Sequence, residues 1–161
     1  MEVIGEKING TRKEVMDAIV NRDAIFIRSL ARRQVGAGAT WLDVNAGTGA
    51  SEADDLAWLV ETIQSVVDVP LCLDSPNPGA LQAAIPLCQR MPMINSISGE
   101  SHRLDNVLPV VAEEGCPVVA LAADDAGISQ ELEIRLAVVR RVIDATRDAG
   151  ISDHQVYVDP L

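Results

Sequence analysis

Short apolar runs alternate along this chain with longer stretches of helical period, six runs with five stretches between them. The runs lie at residues 3–5, 40–44, 70–74, 91–95, 117–121 and 155–159. Each is bounded by Gly or Pro and lacks the strict alternation of a half-exposed strand, as expected for strands covered on both faces. Strands that recur every ~20 to 40 residues with a helix between them predict right-handed βαβ crossovers and a parallel sheet. Two α/β architectures satisfy that pattern, an open doubly wound sheet and a (β/α)8 barrel. No Gly-x-Gly-x-x-Gly follows the first run, whereas polar residues stand at the tips of almost every run. A polar rim of that kind favours the barrel, of which the chain would carry about the first six β/α units.

The helical stretches carry physical start and stop signals. Asp23 precedes Ile27, Leu30 and Ala31 on one face, and Gly36-Ala37-Gly38 ends that helix. Ser51-Glu52-Ala53-Asp54 resembles a capping box ahead of Leu56, Leu59, Val60 and Ile63. Asn77-Pro78 is an N-cap followed by proline at the first helical position, and Pro86 is expected to bend or shorten the helix. Leu104, Val107, Leu108 and Val111 mark the next, ended by Gly115. Ser129 is expected to cap the longest helix, with Leu132, Leu136, Val139 and Ile143 as its buried face.

At 161 residues the chain suits one core and is read as a single domain over residues 1–161. Phe26, Trp41, Trp58 and Tyr157 are the only aromatics, so the core must be built from Val, Ile, Leu and Ala. A formal charge of −11 argues against nucleic acid, whose phosphates need clustered Lys and Arg. No basic start with an apolar run behind it and no stretch of ~18 apolar residues occurs, so neither secretion nor membrane insertion is expected and the location reads as cytoplasmic. Cys72, Cys88 and Cys116 are odd in number and lack metal-site spacing, which predicts reduced core thiols.

The strand tips supply, in order, Glu6 and Asn9, Asp43 and Asn45, Asp74 and Ser75, Asn95 and Ser96, Asp124 and Asp125, and Asp159. Asp, Asn and Ser also cap helices and start turns wherever strands end, and that plainer reading is preferred for Asn77 and Ser129. It is weaker for Asp74, Asn95 and Asp159, each of which directly ends an apolar run, where a polar group in a barrel mouth needs a partner. His102 and His154 lie off the tips without ligand spacing, so no metal site is expected. There is no P-loop, nucleophile elbow or His-Glu-x-x-His. Carboxylates and amides without a nucleophile suit a planar heterocycle with many hydrogen-bonding edges.

Five ordered segments carry a resemblance: Ile4-Gly5-Glu6-Lys7-Ile8-Asn9-Gly10, Leu42-Asp43-Val44-Asn45, Leu71-Cys72-Leu73-Asp74-Ser75, Met93-Ile94-Asn95-Ser96 and Tyr157-Val158-Asp159-Pro160-Leu161. In order and spacing they resemble the methyltetrahydrofolate:corrinoid (iron–sulfur) protein methyltransferases of the pterin-binding superfamily. These are similar to the folate domain of methionine synthase and, more distantly, to dihydropteroate synthase. The resemblance implies a (β/α)8 TIM barrel that moves a methyl group between N5 of 5-methyltetrahydrofolate and the cobalt of a corrinoid, or cobalamin, carried by a partner protein. It implies that Asp74, Asn95 and Asp159 hydrogen-bond the pterin, with Glu6, Asn9, Asp43, Asn45, Ser75 and Ser96 as secondary candidates. It also implies a homodimer as one oligomeric state, and an Asn after a seventh strand as the group that activates N5. On this reading that catalytic residue lies beyond Leu161, and the chain is the first part of a longer barrel or is completed by a partner. The alternatives are a non-catalytic folate-binding module or truncated fragment and, with a poor match after the first strand, dihydropteroate synthase.

Overall fold

A computed structural model describes residues 1–161. The chain forms two compact units, the first made of residues 1–75 and 79–92, the second of residues 76–78 and 93–161.

In the first unit β1 (Ile4–Asn9), β2 (Trp41–Asn45) and β3 (Leu71–Asp74) pair in parallel in chain order. Side chains alternate across a strand, so Leu42, Val44, Leu71 and Leu73 share one face, and all four are buried. That face meets the helices, since a Cβ built on Gly5, the register partner of Leu42, would touch Gln34 and Ala39. Trp41, Asp43 and Asn45 point the other way, as do Cys72 and Asp74. The helices are α1 (Lys13–Val20), α2 (Ala24–Gly36), α3 (Glu52–Gln64) and α4 (Pro78–Ala84), and the last passes at Ile85–Leu87 into a 3-10 turn that holds Pro86. Pro86 therefore shortens α4, as its missing N–H requires.

Most of the helix signals behave as expected. The Asp23 carboxylate accepts from the Phe26 N–H at 3.0 Å and caps α2, while Ile27 and Ala31 are fully buried. Leu56, Leu59, Val60 and Ile63 of α3 are fully buried too. The capping box at Ser51 does not form: its hydroxyl donates to Asp55 at 2.7 Å, and Glu52 turns inward. Helix α1 is an element the apolar pattern does not announce. Its buried stripe is only Val15, Ala18 and Ile19.

Strand β1 carries an irregularity. Gly5 pairs with Leu42 and Ile8 with Val44, so three steps of β1 oppose two of β2. The extra residue falls at Glu6-Lys7, a bulge, and the Lys7 N–H is taken by Gln34 Oε1 of α2 at 2.8 Å.

In the second unit β4 (Met93–Gly99), β5 (Val118–Asp124) and β6 (Val156–Asp159) are parallel neighbours. A π-helical turn (Arg103–Val107) leads into α5 (Leu108–Glu114), which Gly115 ends in the left-handed conformation at φ 67°. Helix α6 (Leu132–Asp148) packs against β4 and β5. Two expectations are corrected here. Ser129 lies ahead of the helix, whose N-cap is Glu131, and its hydroxyl accepts the Glu131 N–H instead. The buried face is Val138, Val142 and Thr146, while Leu132 is 59% exposed and Leu136 lies at the surface. Strand β6 is the edge strand, paired only with β5, and its Tyr157 and Val158 are more than a third exposed. No helix is long and apolar enough to cross a membrane.

Candidate functional site

The polar face of the first unit follows from strand register. Asp43 sits opposite Cys72, so two residues further along Asn45 stands opposite Asp74 with both side chains on the same side. Asn45 Nδ2 donates to Asp74 Oδ2 at 2.9 Å. Asn45 Oδ1 accepts the Gly47 N–H at 2.7 Å, and its carbonyl accepts the Gly10 N–H at 2.8 Å. The loops after β1 and β2 thus close on one another. There is no room for a side chain at Gly10, because a Cβ would fall 2.5 Å from the Gly47 nitrogen.

Below this pair the face becomes drier. Asp43 is buried, and the Cys72 beneath Asp74 is fully enclosed. Burial pushes the Cys72 thiol well above its ordinary range, reinforced by the charge of Asp43, a hydrogen bond to that carboxylate, and the charges of Asp74 and Glu6. Cys72 therefore stays a protonated, inert thiol beside the carboxylates and is no nucleophile. Cys116 in the second unit is likewise pushed up, to about 11, by burial and then by Glu114. All three cysteines are free, but Cys88 is only half-buried and is not the core thiol expected of it.

The β1 bulge explains how Glu6 and Asn9, three apart, can both belong to the polar face. Asn9, paired with Asn45, ends the strand, whereas Glu6 lies inside it and is exposed. Asn9 Oδ1 accepts from the N–H and hydroxyl of Thr11 at 2.9 and 2.6 Å, a local turn. Ser75, just past β3, is buried and donates to Glu52 Oε1 at 2.5 Å. Glu52 is the residue that sequence reasoning missed at this place. A carboxylate in the first turn of a helix, behind a Ser, carries the same local signal as a capping box, and only tertiary packing reveals its other partner.

In the second unit the tips are further along than the apolar runs suggest. Strand β4 continues through Ile97, Ser98 and Gly99, so Asn95 and Ser96 lie within it. Asn95 is half-buried, and Ser96 is buried with its carbonyl accepting from Arg103 Nη1 at 3.1 Å. Asp159 is the last residue of β6, opposite Leu121, and is exposed; its Oδ1 accepts the Leu161 N–H at 2.9 Å. Strand β5 lies between the strands that carry Asn95 and Asp159. Asp124 and Asp125 have structural partners. Asp124 Oδ1 accepts the Ala126 N–H at 3.0 Å within a tight turn to Gly127, and Asp125 accepts the Ser101 hydroxyl at 2.8 Å.

Comparison with known proteins supplies a family and a fold. Methylcorrinoid:tetrahydrofolate methyltransferase of Eubacterium limosum is 37% identical over 99% of this chain and 60% of its own length. Methionine synthase of Mycobacterium leprae is 29% identical over 99% of this chain and 14% of its own length. The chain thus spans less than two thirds of these relatives. Among solved structures, dihydropteroate synthase of Xanthomonas albilineans superposes with a TM-score of 0.71 at 23% identity, covering 99% of this chain and 59% of that one. The Yersinia pestis enzyme gives 0.70 at 20% identity, covering 99% and 60%. At that identity the likeness carries the fold alone, an α/β barrel, of which this chain holds six strands with their five helical connections. Residues 5–161 match the family model described as pterin binding enzyme, and the chain belongs to that family.

Proposed function

We propose that this chain binds the pterin ring of a reduced folate and serves methyl transfer between N5 of 5-methyltetrahydrofolate and the cobalt of a corrinoid carried by a partner protein in the cytoplasm. The observation that carries the reading is the 37% identity to a methylcorrinoid:tetrahydrofolate methyltransferase over 99% of the chain. The polar face of the first unit supports it. The Asp74 carboxylate, held by an amide donor, suits a ring that offers N–H and exocyclic amino groups. In this reading Asp74, Asn95 and Asp159 contact the pterin, while Glu6, Asn9, Asp43, Asn45, Ser75 and Ser96 supply or support further polar contacts.

An amine nitrogen such as N5 gives up a methyl group only with positive character, gained from a proton or a strong hydrogen bond. The corrinoid, when docked, supplies the metal that exchanges the methyl group with N5. This chain's residues bind and orient the ring and match its charge; they take no covalent step, and none of them is the N5-activating group.

Calorimetric titration with tetrahydrofolate tests the binding half. Asp74→Ala and Asp159→Ala should each weaken binding sharply, and unchanged affinity in either variant removes that residue from the assignment. Methyl exchange with cob(I)alamin, followed by its visible absorption, tests the chemical half. Binding without exchange would make this chain a pterin-binding module.

A further inference from the structure

We infer that Asn45 is a positioning residue, whose amide is locked by the neighbouring turn so that it holds the Asp74 carboxylate in one orientation for its ligand. The inference rests on the reading that Asp74 meets the pterin.

The two ends of the amide have different partners. Oδ1 faces the Gly47 N–H at 2.7 Å, and Nδ2 faces Asp74 Oδ2 at 2.9 Å. Turning the amide over would set an NH2 group against an N–H and an oxygen against a carboxylate, two repulsive contacts in place of two attractive ones. The lock is in turn held by backbone. Gly47 adopts φ +78°, which favours glycine, and the Gly10 N–H pins the Asn45 carbonyl at 2.8 Å. Register supplies the rest, since Asn45 and Asp74 stand side by side on adjacent strands. Nδ2 engages Oδ2, which orients the carboxylate toward a heterocycle with paired N–H donors.

The test measures tetrahydrofolate affinity against pH for the wild-type chain, Asn45→Ala, Asn45→Asp and Asp74→Asn, with far-UV circular dichroism to check folding. Asn45→Ala should weaken binding about tenfold, the scale of one hydrogen bond to a charged group. The acid limb of its profile should move to higher pH, because the carboxylate has lost a donor. Asn45→Asp keeps the acceptor for Gly47 and sets a second carboxylate beside Asp74, so it should bind more weakly still at neutral pH. In the Asp74→Asn background, Asn45→Ala should add little. If the wild-type chain binds and Asp74→Asn does not, yet both Asn45 variants match wild type with an unmoved acid limb, the positioning role is overturned and the pterin reading stands. A wild-type chain that binds no tetrahydrofolate overturns both.

Discussion

The junction between the first two strand-end loops makes a demand on one atom's worth of space, and a pair of alanine substitutions measures it. A Cβ at Gly10 would lie 2.5 Å from the Gly47 nitrogen, 2.6 Å from the Ala46 carbonyl carbon and 2.7 Å from its oxygen, where ordinary contact begins at 3.4 Å. The Ala46–Gly47 backbone must retreat by close to 1 Å, and no flexible side chain can yield in its place. Overpacking of this kind costs ~1–3 kcal/mol. Displacing the junction also strains the hydrogen bonds from Gly10 to Asn45 and from Gly47 to Asn45, and losing one adds ~1 kcal/mol. Gly10→Ala should therefore destabilise by about 2–4 kcal/mol. The cause is space and not dihedral angle, because Gly10 is not among the glycines with positive φ. Gly36, the last residue of α2, provides the opposite case, with nothing within 4 Å of its added Cβ. Gly36→Ala should stabilise by roughly 0.5–1 kcal/mol through helix propensity and a less free unfolded chain. Urea unfolding followed by circular dichroism should show the midpoint falling in the first variant and rising in the second, with the slope unchanged. A midpoint for Gly10→Ala at or above wild type would refute the packing argument.

Three further outcomes follow from the same packing. Leu59→Ala, in the fully buried stripe of α3, should cost ~2–5 kcal/mol, while Leu132→Ala on the exposed face of α6 should stay within ~0.5 kcal/mol; equal losses in thermal denaturation would contradict the assigned faces. Timed alkylation with mass-spectrometric readout should label Cys88 first, with Cys72 and Cys116 protected by burial and raised pKa; early labelling of Cys72 would contradict its enclosure. Asp153 is held below the usual carboxylate range by its hydrogen bonds to Arg147. The pair's contribution is complete above that range and disappears as pH falls through the depressed value. Arg147→Ala should return the Asp153 titration upward in carboxyl NMR, and an unmoved titration would exclude Arg147 as the cause.

Which parts of this molecule were legible beforehand depends on where the determining contact lies. Runs such as Leu71-Cys72-Leu73 announce their strands because burial on both faces demands apolar residues without alternation. The ends of β4 and β5 do not, because Ser98 pairs with Leu121 and Gly99 with Asp124 through backbone groups that any residue possesses. Helix α6 presents two stripes at helical spacing, and only packing decides that Val138 and Val142 are buried and Leu132 is not. Asn45 and Asp74 were each visible as polar strand tips. Their hydrogen bond needs the β2–β3 register, a relation between residues 29 apart. The inward turn of Glu52 onto Ser75 is tertiary in the same sense.

The bulge at Glu6-Lys7 sets a reading frame for the first strand. Straightened without loss of a residue, β1 would advance by one position, bring Ile8 beside Asn45 and turn Asn9 toward the helices. Removing one residue at the bulge would leave both faces as they are. This short stretch therefore tolerates deletion better than realignment. What holds the frame is Gln34, which takes the Lys7 N–H from a helix 27 residues downstream. A change at Gln34, on a neighbouring helix, would move Asn9 off the polar face without altering a single residue on it.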